Sequence, residues 1–236
     1  NVYQGTTSIV MREFDPARAW ELIGEERITS GLLVPAMLNF MIHVPDLEQY
    51  DHSSLRWIQS GASPLPVSLI QQYADMGVPI HQIYGLTESC GPACLITAED
   101  ALSRIGSTGR GFFHTEVRVV DESGEDAAPD EQGEVWVRGR HVMKEYWNRP
   151  EATAETITQD GWLRTGDVAA MDEDGFVYIQ DRIKDMIISG GENVYPAEIE
   201  NVILTHPAVT EVAVIGQPSE DRKSTRLNSS HQIISY

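Results

Sequence analysis

Val78-Pro79-Ile80-His81-Gln82-Ile83-Tyr84-Gly85 reads as a strand running into a glycine turn, and Leu86-Thr87-Glu88 follows it directly. The five positions from Tyr84 to Glu88 offer an aromatic face, a glycine that lets a ligand approach the backbone, a hydroxyl and a carboxylate. Such a set suits a nucleotide, with a ring stacked on Tyr84, a phosphate oxygen bonded by Thr87 and a metal held by Glu88. A lone Glu is enough for Mg²⁺, which one or two carboxylates hold together with substrate phosphates. The same residues are equally compatible with a tight turn and a solvated Glu. The surrounding sequence has to decide.

Upstream, Leu55-Arg56-Trp57-Ile58-Gln59-Ser60-Gly61 has the texture of another strand, and Pro66 to Met76 that of the helix between the two. Gly31-Leu32-Leu33-Val34-Pro35 reads as a buried strand ending at proline. Asp15-Pro16 opens an amphipathic helix, with an N-cap and a proline at its first position, that carries Trp20, Leu22 and Ile23. Strands alternating with helices predict an α/β layout with a largely parallel sheet.

Downstream the texture changes twice. From about residue 106 to 181 the chain is β-rich, with Val117 to Val120, Glu134 to Arg138 and a hairpin from Val168 to Ile179 centred on Asp174-Gly175. From 182 a small α+β unit begins: strand Met186-Ile187-Ile188, loop Ser189-Gly190-Gly191, helix Pro196 to Leu204 and strand Val209 to Ile215. It is expected to stop short at about 222. Residues 223–236 fit nothing before them, resemble translated vector or adapter read-through, and are set apart as a non-native tail.

The net charge of −19 excludes nucleic acid as the main partner, because phosphate-backbone binding needs clustered Lys and Arg. It leaves a nucleotide site open. No stretch approaches the roughly 18 apolar residues of a membrane-spanning helix. The two cysteines, Cys90 and Cys94, lack further grouped ligands for zinc and read as small buried residues of a reducing, cytoplasmic compartment. The first residues do not look like a signal peptide, and the missing initiating Met suggests an incomplete N-terminus.

Two more segments carry polar chemistry, Gly161-Trp162-Leu163-Arg164-Thr165-Gly166-Asp167 and Asp181-Arg182-Ile183-Lys184-Asp185. An Asp can accept from both hydroxyls of a ribose, and an Arg can donate to the sugar or its phosphate. In order with Gly61-Ala62-Ser63-Pro64-Leu65, Tyr84 to Glu88 and Ser189-Gly190-Gly191-Glu192-Asn193-Val194-Tyr195-Pro196-Ala197-Glu198-Ile199-Glu200, they resemble the signatures of the AMP-binding, acyl-adenylate-forming superfamily. The chain looks most similar to bacterial fatty-acyl-CoA and related acyl-CoA synthetases, over about residues 1–222.

The resemblance implies part of a large adenylate-forming domain over 1–181, made of an α/β and a β-rich subdomain, and the start of a small C-terminal domain. It implies an acid–CoA ligase that uses ATP, Mg²⁺ and coenzyme A on a carboxylic acid. By motif, Gly61, Ala62, Tyr84 and Gly85 fall to the adenine pocket, Thr87 to phosphate and Glu88 to the metal; Thr87 and Glu88 are the catalytic pair. Asp167 and Arg182 fall to the ribose, Asn193 to the nucleotide side of the interface and Lys184 to the hinge. Ser189, Gly190 and Gly191 fall to the coenzyme A tunnel. Alternatives are an adenylating enzyme with another acceptor (a carrier protein or oxygen) and a non-catalytic nucleotide-binding relative. The pattern departs in lacking the phosphate loop and the catalytic lysine, and in Glu145, where relatives often carry glycine. Gly5-Thr6-Thr7-Ser8 only imitates the loop, so the isolated chain is expected to be weak or inactive.

Overall fold

In a computed structural model the protein is described at residues 5–63, 65–189, 192–203, 206, 209, 212–219 and 224–230. Helix α1 (Pro16–Glu25) starts where Asp15 Oδ1 accepts from the Arg18 N–H at 2.6 Å, with Pro16 preset for the first turn. Strand β1 (Ser30–Leu32), helix α2 (Pro35–Ile42), β2 (Trp57–Gly61), α3 (Val67–Asp75) and β3 (Ile80–Leu86) follow, with a single turn at Leu47–Gln49. Then come β4 (Gly91–Leu95) and β5 (Arg110–Gly111), completing a five-stranded sheet in the order β1-β2-β3-β4-β5. The three helices bury Trp20, Met41 and Tyr73 against Ile58 and Ile80. Their polar atoms are satisfied: Trp20 Nε1 donates to Met41 O and the Tyr73 hydroxyl to Leu38 O, each at 2.9 Å.

Four expectations need correction here. Only β1-β2-β3 run parallel; β4 and β5 run antiparallel. The chain reverses at once after β3, through the turn Thr87–Ser89 and Cys90 at φ 50°, and a parallel return would need a long crossover. Gly85 is therefore not the turn: β3 continues through it to Leu86. The strand near Leu32 lies at the sheet edge, with Leu32 72 % exposed rather than buried. Cys90, on the reversing turn, is likewise exposed, while Cys94 is buried as expected.

The β-rich stretch forms a second, antiparallel sheet of β6 (Glu116–Val120), β7 (Gln132–Arg138), β8 (Leu163–Met171) and β9 (Val177–Arg182), with α4 (Pro150–Thr156) between β7 and β8. The hairpin is where the sequence puts it: Asp172 Oδ1 accepts from the N–H groups of Asp174 and Phe176. One apolar cluster joins the sheets, packing Tyr84, Ala93 and Cys94 against Val135, Val137 and Leu163. This packing brings the end of β3 onto β8.

Beyond β9, β10 (Ile187–Ser189) and β11 (Glu192–Val194) pair antiparallel, α5 (Pro196–Ile203) follows, and β12 (Ala213–Ser219) pairs with β13 (Ser224–Ser230). Residues 224–230, set apart above as tail, thus hydrogen-bond to β12. Asp181 Oδ2 caps α5 from a distance by accepting from Ala197 N–H at 3.1 Å, and the Tyr195 hydroxyl donates to Gln132 Oε1 at 2.8 Å. These bonds tie the last segment to the second sheet.

Candidate functional site

The ends of β2 and β3, the strand β9 and the start of α5 enclose a cleft of about 820 Å³. Gly61, Ala62, Tyr84, Gly85, Asp167, Arg182 and Lys184 all line it. Backbone geometry explains two of the glycines. A Cβ on Gly61 would run into Ile83 O, and one on Gly85 into Gly91 O, so the strands close only because these side chains are missing. Ala62 sits at φ 73°, a left-handed conformation that costs a non-glycine residue about 1–2 kcal/mol and is typical of ligand-facing loops.

Asp167 is the buried centre of the cleft, with 4 % of the residue exposed. Its Oδ2 accepts from the Tyr84 hydroxyl at 2.6 Å, and its Oδ1 forms an ion pair with Arg182 Nε at 2.7 Å. A carboxylate has about four acceptor positions, so two remain for a pair of hydroxyls. Burial first raises the Asp167 pKa above the usual carboxylate range, against the lowering effect of Tyr84 and Arg182. Burial, then the Asp167 charge, pushes the Tyr84 phenol up as well, so it stays a hydrogen-bond donor. Glu134 fixes the approach to Asp167. Its Oε1 accepts from Gly166 N–H at 3.0 Å, and its Oε2 accepts from Trp136 Nε1 at 2.9 Å and Arg164 Nε at 3.2 Å.

Glu88 lines an adjoining cavity of about 380 Å³, shared with Tyr146, Glu134, Gly166 and Arg182. Arg182 belongs to both spaces and marks where they meet. Thr87 is exposed at the start of the reversing turn and lines neither. Asn193 pairs with Ile188 in the β10–β11 hairpin and faces a separate groove with Tyr195 and Ile199, so it is not brought to the cleft. Ser189 pairs with Glu192 at the hairpin end, and Gly190 and Gly191 lie outside the described residues. No group of three or more His, Cys, Asp or Glu among the described residues could hold a metal. That donor set does not fit a dedicated metal cage. It does fit Mg²⁺ carried by a nucleotide and held by one carboxylate.

Tyr146 and Glu134 escaped the sequence reading. Tyr146 meets Glu88 across 58 positions and Glu134 meets Gly166 across 32, separations that no local spacing rule reaches.

The pattern of the AMP-binding enzyme family matches residues 1–147, and that of the AMP-binding enzyme C-terminal domain matches residues 198–227. A long-chain-fatty-acid–CoA ligase of Mycobacterium tuberculosis is 49 % identical over 217 residues, 92 % of this chain and 43 % of the relative. The o-succinylbenzoate CoA synthetase of Bacillus subtilis, solved with its acyl-adenylate intermediate, superimposes with a TM-score of 0.85 at 35 % identity, over 99 % of this chain and 48 % of that one. An amide bond synthetase of Marinactinospora thermotolerans superimposes with a TM-score of 0.82 at 36 % identity, over 91 % and 44 %. The chain thus spans under half the length of these relatives. With both patterns matched in order, the chain belongs to the AMP-binding enzyme family.

Proposed function

We propose that this chain is the nucleotide-holding part of an ATP-dependent acid–CoA ligase. A carboxylate oxygen attacks the α-phosphorus of ATP, pyrophosphate leaves, and acyl-AMP forms. The sulfur of coenzyme A, giving up its proton, then bonds the acyl carbon as AMP departs. The observation that carries this reading is Asp167, buried in the cleft yet held by Tyr84 and Arg182 with acceptor positions to spare. Asp167 takes the two ribose hydroxyls, Arg182 donates to the sugar, and Gly61, Ala62, Tyr84 and Gly85 wall the adenine. Thr87 bonds phosphate, Glu88 takes the Mg²⁺ that neutralises phosphate charge, and Lys184 is the hinge.

Residues 1–181 belong to the large domain and 182–222 to the small one, with Ser189, Gly190 and Gly191 toward the coenzyme A tunnel and Asn193 toward the nucleotide side after rotation. The acid is hydrophobic or aromatic, in keeping with the apolar stretch Cys90 to Ala93 and with the long-chain fatty acid named for the Mycobacterium tuberculosis relative. Cytoplasmic residence is supported by two unpaired thiols, and no helix among the described residues is long and apolar enough to cross a membrane.

A second reading, an amine as final acceptor, is favoured by the likeness to the amide bond synthetase. The test is acid-dependent ATP–pyrophosphate exchange by the full-length protein over fatty and aryl acids, then product analysis with coenzyme A or an amine. Exchange lost in Asp167→Ala and followed by thioester is expected. Amide without thioester would shift the acceptor, and no exchange with any acid would remove the ligase reading.

A further inference from the structure

We infer that Tyr146 is the positioning residue of Glu88, holding one carboxylate oxygen so that the other faces a nucleotide-borne divalent cation. This rests on the reading of Glu88 as the metal carboxylate. The Tyr146 hydroxyl donates to Glu88 Oε1 at 2.7 Å, whereas Oε2 takes no hydrogen bond or ion pair among the described residues. Both side chains line the smaller cavity, which meets the nucleotide cleft at Arg182.

The arm that carries Tyr146 is pinned on both sides. Met143 N–H donates to Glu88 O at 2.7 Å, and His141 Nδ1 bonds Ser89 O at 2.6 Å, so residues 141–143 grip the turn that holds Glu88. Beyond it, Tyr146 N–H donates to Thr153 Oγ1 of α4 at 3.0 Å. A half-buried glutamate without a partner has several rotamers of similar energy, and ordering one costs entropy when the cation binds. The tyrosine removes that cost beforehand and confines the cation to Oε2. Groups that orient a metal-binding carboxylate typically change metal affinity by about 10–100-fold when removed.

The opposite role, a tyrosine that competes with the cation for Glu88, has the same geometry and the opposite consequence. Mn²⁺ binding to the full-length protein with ATP, followed by electron paramagnetic resonance, separates them. Tyr146→Phe is expected to weaken Mn²⁺ binding by about 10–100-fold. The Mg²⁺ half-saturation of exchange should rise by a like factor, kcat at saturating Mg²⁺ should fall less, and the melting temperature should hold. Unchanged or tighter Mn²⁺ binding in Tyr146→Phe, while Glu88→Gln loses it, would overturn the positioning role alone. Binding undiminished in Glu88→Gln would overturn the metal reading and the inference with it.

Discussion

A buried acid that stays in place against its own desolvation is the chemical signature of this molecule. Asp167 has its pKa raised in the fold, so protonation is easier there than in the unfolded chain. The sign follows: the stability it contributes is fully present below the unfolded pKa of 3.8 and is lost as pH rises through the higher folded value. Above that folded value the ionised side chain is therefore a cost. Asp167→Asn keeps an acceptor for the Tyr84 hydroxyl, and Arg182, half exposed, loses little by the change. Thermal unfolding should show the variant at least as stable as the wild type at about pH 7, with the difference shrinking toward about pH 4. His81 has the reverse sign. Burial lowers its pKa and its Nε2 has no hydrogen-bond partner among the described residues, so its contribution is lost as pH falls through the depressed value. His81→Phe, which keeps a ring against Trp57, should flatten the acid limb of the stability profile.

At the scale of elements, close strand approach and a remote cap place these residues. Gly85→Ala would push β3 from β4 at the cleft wall and should cost at least about 1–3 kcal/mol, read as a lower denaturation midpoint. Asp181→Ala removes the cap of α5, worth about 0.5–2 kcal/mol, and should speed proteolysis around residues 183–186 while the rest stays folded. The sequence carried the elements with local grammar: the Asp15-Pro16 helix start, the Asp174-Gly175 hairpin and the strand before Tyr84. It carried the cleft residues because they sit in contiguous motifs at the ends of β2, β3 and β9 and in the middle of β8. It did not carry the direction of β4, which depends on a left-handed Cys90 that no propensity rule expects. It also did not carry Tyr146 on Glu88, a contact made only when the two sheets pack.

For the whole molecule, two sheets share one apolar seam, and the cleft opens where β9 leaves that seam toward α5. The far side of the first sheet is different. Leu32, Val34 and Phe40 are 72 %, 40 % and 54 % exposed around the edge strand β1. An apolar edge with no further strand paired to it among the described residues is a template for association, so the isolated 236-residue chain should self-associate at micromolar concentration in light scattering. Leu32→Lys should reduce that without lowering the melting temperature.

The most direct measurement is calorimetric titration of AMP and 2′-deoxy-AMP into the wild-type chain and Asp167→Ala. Binding of AMP is expected. Removing either the carboxylate or the ribose hydroxyl should weaken it by about 1.5–3 kcal/mol, roughly ten- to a hundredfold in Kd. AMP binding that is indifferent to both changes would contradict a nucleotide site built on Asp167.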